Sequence, residues 1–62
     1  MNISARSVKK GDIIVLDGEL KFVENVYEIK EHYAGVWFRF HEGPDRFFMY
    51  SKEIQLVSRE EF

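Results

Sequence analysis

Ile13-Ile14-Val15-Leu16 is the longest unbroken apolar run in the chain. Three of its four residues are β-branched, which predicts a strand apolar on both faces. Lys9-Lys10-Gly11-Asp12 leads into it as a turn. Asp17-Gly18 follows, a pair that tolerates positive φ and is a strong short-range signal for a hairpin. The next segment, 21–33, does not keep one phase. Phe22 and Val26 fall in one alternation, and Val23, Tyr27 and Ile29 in the other. A one-residue slip turns every side chain to the opposite face, so a regular strand cannot change phase in this way. A β-bulge near Glu24-Asn25 restores consistency and curves the strand. A helix over 20–32 also places Val23, Val26, Tyr27 and Lys30 on one stripe, but the β-branched and aromatic content and the missing cap favour the strand.

Ala34-Gly35 turns the chain into its cleanest alternation. Val36, Phe38 and Phe40 point one way, and Trp37, Arg39 and His41 the other. Glu42-Gly43-Pro44-Asp45 is a loop by composition. A strand over 47–51, a single helical turn at Ser51-Lys52-Glu53 with Ser51 as its cap, and a closing strand over 54–58 complete the order. Residues 1–7 are expected to form a flexible leader and residues 59–62 a charged tail, with one domain running through 1–62.

Five strands in this order, with one helical turn before the last, resemble SH3-like small β-barrels of the kind found in translation proteins and KOW modules. Residues 8–18, Val-Lys-Lys-Gly-Asp-Ile-Ile-Val-Leu-Asp-Gly, are similar to the opening strand and hairpin of the N-terminal domain of bacterial elongation factor P. Residues 50–57 resemble the turn and closing strand of such barrels. The resemblance implies an all-β, five-stranded barrel. It carries no function, because Tyr33-Ala34-Gly35 is too short to hold the modified loop lysine that defines the factor.

Sixty-two residues lie near the lower limit for a core that folds unaided. The chain has no cysteine, so disulfides and thiolate zinc sites are excluded. Six Phe, three Tyr and one Trp are the natural compensation, since each ring buries a large apolar area. No signal-peptide or membrane-spanning segment is present, and the expected protein is soluble and cytoplasmic. The formal charge of −2 gives no global attraction to nucleic acid.

Candidate chemistry is sparse. Ser4, Ser7, Ser51 and Ser58 fall near ends or turns, with two histidines in the chain to serve as bases, so no catalytic group is expected. Glu31 with His32, or His41 with Glu42 and Asp45, match no recurrent metal-binding spacing, and no metal or cofactor is expected. The acidic positions Glu19, Glu24, Glu28 and Glu31 read as a solvated face guarding an edge strand. The candidate binding surface starts from Trp37, Arg39 and His41. If Phe40 pairs with Phe47, then Arg46, Phe48 and Tyr50 join it. If the register is one residue away, Phe48 and Tyr50 turn into the core, and Phe47 and Met49 face out. Such a surface suits a larger protein partner, since Trp, Tyr and Arg dominate interface hot spots. A nucleic acid is the alternative, through base stacking on the aromatic rings. Homodimerisation is compatible with both.

Overall fold

A computed structural model describes residues 1–31 and 34–59. Six antiparallel strands form one sheet: β1 (Asn2–Ser4), β2 (Ile13–Leu16), β3 (Glu19–Tyr27), β4 (Gly35–Phe40), β5 (Arg46–Met49) and β6 (Glu53–Ser58). Their order across the sheet is β1-β6-β2-β3-β4-β5. The all-β expectation is met. Five strands closed into a barrel are not what forms, because the sheet is open and its edges are β1 and β5.

The sixth strand comes from the expected leader. Asn2, Ile3 and Ser4 pair with Gln55, Ile54 and Glu53. The chain then tightens into a 3-10 turn over Ala5–Ser7, the only helical segment among the described residues. No helical turn forms at 51–53. Instead Lys52 N–H donates to the Met49 carbonyl across a tight turn (3.0 Å), and Glu53 is already strand. The 3-10 turn spans part of the gap that the open sheet leaves. Ala5 and Arg6 donate backbone hydrogen bonds to the Lys52 and Tyr50 carbonyls (2.8 and 3.2 Å). Ala5 is fully buried, so a side chain of methyl size is what this approach accommodates. Among the described residues no helix is long and apolar enough to cross a membrane.

The β2–β3 hairpin turns at Asp17 and Gly18, whose φ angles are 52° and 79°. Positive φ at both positions suits the right-handed twist of the flanking strands, and the hairpin closes on the pair Leu16–Glu19. The bulge in β3 falls where the phase change demands it. Val23 opposes Phe40 and Asn25 opposes Arg39, leaving Glu24 as the extra residue. Val23 and Val26 therefore both turn toward the core despite their odd spacing. β3 bends here, pairs with β2 in its first half and β4 in its second, and folds the two halves of the sheet around one core. Being interior, it is not the edge strand that its glutamates were expected to guard. Glu19, Glu24, Glu28 and Glu31 are nonetheless all exposed. Strand structure ends at Tyr27, short of the predicted 33; His32 and Tyr33 lie outside the described residues.

The core is formed by Ala5, Val8, Ile14, Leu16, Val23, Val36, Phe38, Phe40, Phe48 and Ile54. Phe38 is fully enclosed, edge-on to Phe40 and tilted against Phe48, with ring centroids 6.2 and 5.3 Å away. Asp12 is the one buried charged residue among those described. Its carboxylate accepts two hydrogen bonds from Arg59 (2.9 and 3.0 Å) and one from the Lys9 amide (2.9 Å). Arg59 also donates to the Ser7 carbonyl at 3.0 Å. The start of the expected charged tail is thus an anchor, tying the end of β6 to the turn before β2. Glu60 to Phe62 lie outside the described residues.

Candidate functional site

The β4–β5 hairpin decides which side chains meet: Trp37 and not Phe40 opposes Phe47, a shift of three residues that exchanges the two faces of β5 as a one-residue slip would. Gly35, Val36, Trp37 and Phe38 oppose Met49, Phe48, Phe47 and Arg46. Phe48 therefore sits in the core against Phe38 and does not face outward with Trp37. Tyr50 is half-buried against the core, under the Arg6 guanidinium 4.7 Å from its ring, with its hydroxyl on Glu28. Arg46 lies on the inward side of β5, over the Phe48 ring, and its Nη1 reaches Asp17 at 2.8 Å. His41 stands beyond the end of β4 with its ring edge-on to Phe22. Of the six predicted binding residues, Trp37 and Arg39 remain together.

Residues from the neighbouring strands complete their surroundings. Tyr27, Trp37 and Phe47 form a row across β3, β4 and β5 on the outer face of the sheet. Trp37 stacks parallel to Tyr27 (centroids 6.2 Å, planes within 10°) and meets Phe47 at 5.6 Å. All three rings are half-buried. The Phe47 ring lies over Gly35, where an added Cβ would overlap it, so the missing side chain at the head of β4 is what admits the ring. Met49, next on this face, is 53% exposed.

Asn25, Arg39 and Asp45 border the row. The Arg39 guanidinium lies 5.6 Å from the Tyr27 ring centre and 3.5 Å from Asp45. Tyr27 donates its phenolic hydrogen to the same carboxylate at 2.6 Å. This hydrogen bond raises the Tyr27 pKa above its ordinary 10. Burial and the Asp45 charge add to the shift, and Arg39 opposes it. At neutral pH the hydroxyl is a donor locked onto Asp45, and the ring is held against Trp37.

The remaining arginines are also engaged: Arg46 with Asp17, Arg59 with Asp12, and Arg6 with the Tyr50 ring. Among the described residues no group of three or more His, Asp or Glu side chains gathers as a metal site; His32 lies outside them.

A second outward face was not anticipated. On β2 and the first half of β3, Ile13 opposes Phe22 and Val15 opposes Leu20. Val57, the extra residue of an irregularity between β6 and β2, lies on the same side. Leu20, Phe22 and Val57 are 60, 52 and 51% exposed. The signal was present in the run Ile13-Ile14-Val15-Leu16, which has no polar residue to assign to solvent.

No family model, curated protein or solved structure matches this chain. Function therefore has to be read from these two faces and their chemistry.

Proposed function

We propose that the protein is a non-catalytic interaction module that grips a larger protein partner through the outer face of β3, β4 and β5. The observation carrying this reading is the Tyr27–Trp37–Phe47 row, extended by Met49 and bordered by Arg39. Aromatic side chains contribute most at protein interfaces because they present much apolar area with few rotors to freeze, and arginine joins them through a planar guanidinium with five donors. The row is pre-arranged by ring contacts, by the Tyr27–Asp45 hydrogen bond and by the glycine under Phe47, so little ordering cost is left for binding.

Two features weigh against nucleic acid as the partner. Arg39 already faces Asp45, so its charge is partly neutralised before any phosphate arrives. Tyr27 and Trp37 turn ring faces toward each other, which removes those faces from base stacking.

The test is affinity for a partner captured from cells that make the protein. Trp37→Ala is expected to weaken binding by ~2–4 kcal/mol, the range for a central aromatic anchor. Since Trp37 is half-buried, Met49→Asp is the companion variant. Met49 is exposed on the same face, so charging it should reduce binding while the melting temperature holds. Salt should matter little, because apolar burial is not screened. A single-stranded nucleic acid would instead show a log–log salt slope of about −0.7 per phosphate contact. That slope, or full binding by both variants, would overturn the proposal.

A further inference from the structure

We infer that Arg46 guards the open side of the sheet, keeping the edge strand β5 from pairing with a strand of another molecule. An edge strand turns backbone donors and acceptors outward and is a ready template for a further strand. Among the described residues the sheet has two edges, β1 and β5. β1 is three residues long, and brevity is itself a protection. β5 is longer and carries Phe47 and Phe48, both good strand formers, so it is the edge at risk.

Arg46 is the one charged residue of β5, and it lies on the core side. It stands opposite Phe38, which has no exposed surface, and its guanidinium covers the Phe48 ring at 5.1 Å. Its Nη1 meets Asp17, in the β2–β3 turn, at 2.8 Å. β5 and that turn belong to opposite halves of the folded sheet, so the pair spans its open side. The Arg46 side chain is 41% exposed, and water completes its solvation.

A strand added beside β5 would continue the sheet along this side and cover the guanidinium. Its charge would then be buried with one carboxylate to answer five donors, a costly arrangement. For this reason an inward-pointing charge on an edge strand opposes further pairing. Pro44, two positions before the strand, offers no N–H and ends the template there. The aromatic row lies on the opposite face of β5, so this inference does not rest on the proposed function.

Sedimentation velocity from micromolar to millimolar protein tests the inference. Arg46→Thr removes the charge and leaves a good strand former. It should associate at concentrations at least ~10-fold below any at which the wild type does, because burial of an ion no longer opposes pairing. Arg46→Lys keeps a charge on the core side and should behave as the wild type. So should Asp17→Asn, which removes the carboxylate but retains a residue that accepts the positive φ of 52° at this turn. Met49→Lys, added to Arg46→Thr, returns a charge to the edge from the other face and should reverse the association. Far-ultraviolet circular dichroism shows whether each variant is folded. Should Arg46→Thr fail to fold, Arg46→Gln keeps a stem over Phe48 and carries the same expectation. A folded, uncharged variant that associates no more readily than the wild type would overturn the inference. So would equal association of Arg46→Lys or Asp17→Asn, or an association that Met49→Lys leaves unchanged.

Discussion

Phe38→Ala is expected to remove most of the domain's stability and to lower its melting temperature sharply. The ring is fully enclosed and packs on Phe40 and Phe48, so its removal leaves a cavity with rigid aromatic walls that collapse poorly. Truncations of this kind cost ~3–5 kcal/mol. A domain of this length has roughly 3–9 kcal/mol of total stability at ~0.05–0.15 kcal/mol per residue. The substitution therefore consumes between about a third of the margin and all of it, and most of it at mid-range. Phe38→Leu keeps more of the volume and should lower the melting temperature without abolishing the transition. Circular dichroism melts of the two variants check this, and an alanine variant melting like wild type would mean that the core is not built around this ring.

The second large effect is expected at Arg59→Met. Asp12 has no exposed surface, and two of its three hydrogen bonds come from that guanidinium. Without Arg59 the buried carboxylate keeps, among the described residues, the Lys9 amide as its donor. Breaking one side of a buried pair costs ~3–5 kcal/mol, chiefly from the orphaned charge. Arg59 is 30% exposed, and water entering at that side places the expected loss near the lower end. Adding Asp12→Asn to Arg59→Met removes the charge and should recover part of the loss. A double variant less stable than Arg59→Met alone would show that the Asp12 carboxylate stabilises by some route other than this pair. Urea denaturation of the single and double variants measures both steps.

These two residues also show how far the sequence could be read. Phe38 lies on a strand whose alternation is undisturbed for six residues, and such a pattern specifies its inward face without tertiary information. The hairpin at Asp17-Gly18 and the bulge at Glu24 were legible for the same reason: local backbone chemistry in one case, a broken phase in the other. Asp12 and Arg59 were not, because they are 47 positions apart and are joined only when β6 returns beside β2. Asn2–Ser4 is short, with Ile3 its one apolar residue, and its strand character comes from pairing with β6 rather than from its own pattern.

The candidate surface divides along the same line. Trp37 and Arg39 could be placed together because they sit two apart on one strand. Their cross-strand neighbours depended on the β4–β5 register, for which the loop at 42–45 gives no tight-turn signal. A shift of three residues, odd like a slip of one, moved Phe48 into the core and brought Phe47 and Met49 out. Tyr27 joined them through a bulge that had been inferred but whose partner strand had not.

Trp37 is the only tryptophan in the chain and stands at the centre of the proposed docking face, so it can report on binding directly. Protein labelled with 5-fluorotryptophan gives one fluorine resonance, whose position depends on the packing around that ring. Addition of the captured partner should shift or broaden this resonance in a saturable way, with a midpoint equal to the affinity measured independently. A resonance unmoved at saturating partner would contradict the account, placing the binding site elsewhere and leaving the aromatic row as cover for the sheet.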